Sequence, residues 1–191
     1  MYYLLETDTR QTNVYMNQTS HRSLRPFLGR SIQLAEPEPI FFKMEVDEDE
    51  DEEIPETPIL GAYYSGSRLM HRSLVNTLIE NGVNNLQLLR ASIEDPYNGK
   101  IINDYVLFNV IGIVSCANVA ESDCDPLAGF YYFHNLVIDP DQTHGLNLFR
   151  LAEMPTEVIV HEKIAQAIEQ GRFNGILLKP LDEKPSVYDE R

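Results

Sequence analysis

The sequence has no tryptophan and only two cysteines, Cys116 and Cys124, in 191 residues. Two thiols cannot build the disulfide framework of a small secreted domain or a four-cysteine zinc site. They read as ordinary thiols, with a bond or redox role as the alternative. The start, Met1-Tyr-Tyr-Leu-Leu-Glu-Thr-Asp8, has no basic segment before an apolar core, so it does not read as a signal peptide. No apolar run reaches the roughly 20 residues that span a bilayer. These absences predict a cytoplasmic protein with no membrane partner. Basic residues are also scarce: 15 Lys and Arg face 30 Asp and Glu, a net charge of −15.

What is present is a soluble composition, 43% hydrophobic and 24% charged, enough for a real core. The strongest local feature is a run of seven acids, Asp47, Glu48, Asp49, Glu50, Asp51, Glu52 and Glu53, preceded by Glu45 and followed by Pro55 and Pro58. Adjacent carboxylates repel one another and cannot all be buried. The run is therefore either a solvated linker or a contact for a basic partner, and its proline flanks favour the linker. The acidity does not depend on the run alone. Residues 1–60 carry 13 acids and 5 bases, and residues 61–191 carry 17 and 10. Such a field disfavours nucleic acid and favours a basic partner, or it serves solubility only.

Patterning predicts strands at Tyr2–Glu6, Ile40–Met44, Ile59–Tyr64, Leu86–Ser92, Tyr105–Val114, Phe130–Ile138, Leu146–Leu151, Glu157–Val160 and Gly175–Pro180. Leu69, Met70, Leu74, Val75, Leu78 and Ile79 recur at helical spacing, which predicts a helix over Arg68–Glu80 with Ser67 as its cap. The Ser65-Gly66-Ser67 approach could hold an anion, though plain capping explains it too. His161–Gln170 predicts a second helix, closed by Gly171. Residues 7–39 and 116–129 read as irregular, and no repeat is found at 20–50 residue spacing. The class is α+β, a mainly antiparallel sheet with two or three packed helices. The division is an N-terminal segment (1–44) packing on the main domain, an acidic linker (45–58), the main domain (59–181) and a frayed tail (182–191).

Tests for chemistry return little. His161-Glu162 lacks the second histidine of a zinc-protease helix, since position 165 is Ala. His134, Asp139, Asp141 and His144 carry ligand-type side chains, but Asp139-Pro140-Asp141 is also an ordinary turn. Asp123 and Asp125 flank Cys124 without a calcium-loop pattern. No phosphate loop or nucleophile elbow is present.

The C-terminal two-thirds, over roughly residues 59–181, resembles a known family. Its marks are Tyr64-Ser-Gly-Ser-Arg-Leu69, Asn103-Asp-Tyr-Val-Leu-Phe-Asn-Val110, Leu148-Phe-Arg-Leu151, the Val158-Ile-Val-His161 strand with its helix, and Phe173-Asn-Gly-Ile-Leu-Leu-Lys-Pro180. This pattern is similar to the bacterial immunity-protein family numbered eleven, and the acidic run is not one of its marks. The resemblance implies a protein encoded beside a secreted polymorphic toxin, which it blocks by direct contact. It implies no catalytic residue, no cofactor and no metal. The expected contact residues are Glu45, the run from Asp47 to Glu53, Tyr97, Asp123 and Asp125, facing a basic toxin surface. The alternatives are a metal-dependent hydrolase using His134, Asp139 and His144, and a nucleic-acid mimic whose carboxylates imitate phosphates.

Overall fold

Residues Ile40 to Val46 alternate buried and exposed at every position, the signature of a strand with one wet face. The same logic sets most of the molecule, a computed structural model describing residues 1–24, 29–35, 38–46, 58–127 and 129–181. The acidic run at 47–53 and the tail at 182–191 lie outside the described residues. In chain order the elements are β1 (Tyr2–Thr7), β2 (Val14–Gln18), β3 (Ile40–Val46), β4 (Tyr63–Tyr64), β5 (Leu69–His71), α1 (Arg72–Glu80), β6 (Leu86–Asp95), β7 (Lys100–Ile102), β8 (Tyr105–Val110) and β9 (Ile113–Val114). There follow β10 (Asp123–Leu127), β11 (Phe130–Asn135), a 3-10 turn (Pro140–Thr143), β12 (Leu148–Leu151), β13 (Val158–His161), α2 (Glu162–Gly171) and β14 (Ile176–Pro180).

The fold is α+β, with one five-stranded sheet ordered β14-β1-β13-β12-β9. A second sheet runs β2-β3-β6-β8-β5-β4, with β7 also on β6, and β10-β11 is a separate hairpin. Pairing is antiparallel except at β3–β6 and β9–β12. Strand β6 is ten residues long and changes partners midway, taking β8 along Leu86–Arg90 and β3 along Ala91–Glu94. Among the described residues, no helix is long and apolar enough to cross a membrane.

Several expectations are corrected. The first helix begins at Arg72, not Arg68, and its cap is His71, not Ser67. Leu69 and Met70 are instead drawn into the sheet by Leu107 and Val106, and Arg68 breaks the chain with φ +59°. An anion site at a helix start near Ser65–Ser67 therefore falls away. The long strand expected at Tyr105–Val114 breaks after Val110, where Gly112 takes φ +91°. The strand expected at Phe130–Ile138 ends at Asn135. The regions expected to be irregular contain β2 and β10.

A repeat is also present, longer than the spacing at which none was found. The β4–β5 hairpin, α1 and β6, with β8 between β5 and β6, form one unit. The β12–β13 hairpin, α2 and β14, with β1 between β13 and β14, form the other. All pairings within both units are antiparallel. His161 lies 90 positions after His71, and the same offset matches Leu74 with Ile164, Leu78 with Ile168, Asn84 with Asn174 and Leu86 with Ile176. The second unit's inserted strand, β1, opens the chain, which hides the repeat in linear order.

In each unit a histidine ends a strand and starts a helix. The Nδ1 atoms of His71 and His161 accept the backbone N–H of Ser73 at 3.2 Å and of Lys163 at 3.3 Å. These bonds satisfy orphan donors of the first helical turn. Replacing either histidine by alanine is expected to cost about 1 kcal/mol, the usual value of a cap, read as a lowered urea midpoint. An unchanged midpoint in both variants would show that the imidazoles do not hold the helix starts.

The helices join the units. Leu74, Val75 and Leu78 of α1 and Ile164, Ala165 and Ile168 of α2 share one cluster with Leu5, Met70, Phe108, Leu148 and Val160 from both sheets. A second cluster lies between β2–β3 and the far face of β5 and β8, through Met16, Ile40, Phe42, Met44, Leu69 and Leu107. A third sits under the β10–β11 hairpin, with Phe149, Leu151, Ile159, Cys116 and Leu136.

Candidate functional site

Direct cross-strand partners share a face, so register decides which side chains meet. Tyr15 pairs Glu45 and Asn17 pairs Lys43. Lys43 also pairs Glu94, and Glu94 pairs Ile101. The outer face of β2, β3, β6 and β7 thus collects Tyr15, Phe41, Lys43, Glu45, Glu94 and Ile101. Four large apolar groups on or beside it are wet: Tyr15 (49% exposed), Phe41 (46%), Tyr97 (52%) and Ile101 (56%). Scattered apolar groups are ordinary on a surface, but several on one sheet face, rimmed by charge, mark an interaction site.

Tyr97 sits in the turn between β6 and β7, where Asp95 Oδ1 accepts its backbone N–H at 2.9 Å. Its hydroxyl accepts the N–H of Val46 at 3.1 Å. Glu45 and Tyr97, two expected contact residues, are therefore brought together at the root of the acidic run.

The other two, Asp123 and Asp125, lie on the β10–β11 hairpin. Asp125 pairs Tyr132, and Phe130 and Tyr132 are exposed there. The opposite face of the hairpin turns Phe133 onto the third core cluster. Asp125 Oδ2 lies 3.0 Å from His134 Nε2. This is a second acidic and aromatic surface, on an element that belongs to neither large sheet.

The candidate ligand set separates. His134 is engaged by Asp125, while Asp139 caps its own 3-10 turn by accepting the N–H of Asp141 at 3.0 Å. His144 ends that turn in the left-handed region, φ +54°. Among the described residues, no three His, Cys, Asp or Glu side chains gather as a metal-holding group.

Both cysteines are free. Burial pushes the Cys116 thiol up to about 12, so it stays protonated and inert at neutral pH. Arg150 is buried in β12, and its Nη1 donates to the carbonyls of Pro155 (3.1 Å) and Thr156 (2.9 Å). Burial lowers its pKa to about 10, still charged, and it braces the β12–β13 turn. Asp8 is buried too, held below its ordinary carboxyl range chiefly by the hydrogen-bonding Arg10 side chain.

Tyr15, Phe41 and Ile101 were missed as contact candidates. The alternation Val14-Tyr-Met-Asn-Gln18 was available as a signal for β2, but its polar surroundings masked it. No family model matches the chain, and no curated protein matches it significantly.

Proposed function

We propose that this chain is an immunity protein that binds and neutralises a secreted bacterial toxin encoded beside it. The observation that carries this reading is the open sheet face of Tyr15, Phe41, Tyr97 and Ile101 beside Glu45 and Glu94. Tyrosine anchors among wet apolar groups are what interface hot spots use. Acidic residues at the rim suit a basic partner and speed its approach. The resemblance to immunity family eleven supplies the partner's kind. Inhibition is by occupancy, in the cytoplasm, with no catalytic group or cofactor of the chain's own.

The test is to mix the purified chain with the toxic domain encoded by the adjacent gene. A 1:1 complex is expected, with association slowing as salt rises, because exposed charges are screened over about 10 Å at 0.1 M. No complex at either low or high salt would refute the reading.

A further inference from the structure

Among the described residues, strand β2 is the last strand of its sheet. A groove of about 550 Å³ runs beside it, a volume in the range of real binding sites. Every residue from Asn13 to Gln18 lines this groove. Side chains of a strand alternate between its two faces, and here Val14 and Met16 point inward while Tyr15 and Asn17 point outward. A space that touches both sets lies along the edge of the strand, not over one face. The far wall is the turn from Ser65 to Arg68, the link between β4 and β5.

The lining has a definite chemical character. In a chain of net charge −15, the described residues that line it include no carboxylate and one charged side chain, Arg68. Of the two acids that flank Thr7 in sequence, Asp8 is taken up by Arg10 and Gln11 and Glu6 lies 3.8 Å from Lys179 Nζ. Arg68 Nε and Asn13 Nδ2 are buried without a hydrogen-bond partner. Arg68 itself is held at φ +59°, a conformation that costs a non-glycine residue about 1–2 kcal/mol. In the second unit Arg150, in β12, donates Nη1 to the carbonyls of the β12–β13 link, and its Nε and Nη2 are buried without a partner.

We infer that the β2 edge and the Arg68 turn receive an extended segment of the toxin, which adds as a strand to β2 and places a carboxylate against Arg68. Strand addition supplies affinity through main-chain hydrogen bonds, and the wall selects the side chains. An extended backbone brings one carbonyl per residue, which suits a wall with unpartnered donors. The added strand would lie next to Tyr15, continuous with the sheet face described above. This inference rests on the toxin reading and specifies how that partner docks.

The test is hydrogen exchange on the full-length chain, free and mixed with the purified toxic domain, together with the Arg68→Gln variant. Strand addition predicts that amides within residues 14–18 exchange at least tenfold more slowly in the complex. It also predicts that Arg68→Gln weakens binding about tenfold or more. A complex that forms without added protection at 14–18 overturns the inference and leaves the toxin reading standing. That outcome reads on the wild-type chain alone, so it holds even if the variant folds poorly. Absence of any complex with the wild-type chain overturns both.

Discussion

Replacing Gly175 by alanine is expected to destabilise the fold by about 3 kcal/mol, among the larger single-residue effects available in this molecule. Gly175 adopts φ +72°, which costs an alanine about 1–2 kcal/mol on its own. In addition, a Cβ there would lie 2.6 Å from the Cα of Gly61, a backbone atom that cannot swing away. Overpacking of that kind adds about 1–3 kcal/mol. The crossing cannot loosen cheaply, because hydrogen bonds flank it. Ala62 N–H donates to the Asn174 carbonyl at 2.7 Å, and Asn174 Nδ2 donates to the carbonyls of Gln11 and Leu60. At this chain length the loss corresponds to a melting temperature lower by roughly 6–12 °C. Gly99→Ala is the control. Its φ is +69° but nothing lies within 4 Å of its added Cβ, so only the about 1–2 kcal/mol of the backbone conformation is expected. Equal losses in both variants would show that the approach of Gly61 to Gly175 does not tighten the fold.

Alanine at Tyr97 or Phe41 is expected to weaken toxin binding by about ten- to thirtyfold each, the range of interface hot spots. Both rings are about half exposed in the free chain, so each has surface left to bury on a partner. Phe41 stands on the outer face of β3, where its truncation leaves Ile40 and Phe42 in the core. Tyr97 also carries a structural bond to Val46, so Tyr97→Phe separates the two roles. Loss of binding in Tyr97→Ala with little change in Tyr97→Phe assigns the effect to the ring. Asp123→Asn and Asp125→Asn, on the hairpin, are expected to change affinity less than about twofold, as rim charges usually do. If the hairpin variants cost more than the sheet-face variants, the toxin meets the hairpin instead.

Strand positions were legible where the pattern was local. Ile40-Phe-Phe-Lys-Met44 is dense in aromatic and aliphatic residues, and Leu86–Asp95 is apolar at its start, so both strands stand close to where expected. The first helix was read four residues too early because Leu69 and Met70 continue its apolar stripe. Their pairing with β8 overrides that periodicity, and no local signal reports it. The repeat was hidden because β1, the inserted strand of the second unit, precedes the first unit in the chain. The residues behind the family resemblance turn out to hold the fold. Phe149 and Arg150 are buried, and Gly175 is the crossing point with Gly61. They point to architecture and say little about where a partner sits. The candidate surface depends on register across β2, β3, β6 and β7, elements far apart in sequence, and only Glu45 and Tyr97 of it were anticipated. Val46, beside that surface, directly precedes Asp47 to Glu53 in the sequence.

The most direct test of the account is a titration of the toxic domain's activity with the purified chain. Activity is predicted to fall linearly to zero at one equivalent, with the mass of the toxin unchanged and the inhibition weakened in Tyr97→Ala. Undiminished activity at excess chain would contradict the account. So would complete inhibition far below one equivalent with a covalently altered toxin, which would make the chain a catalyst.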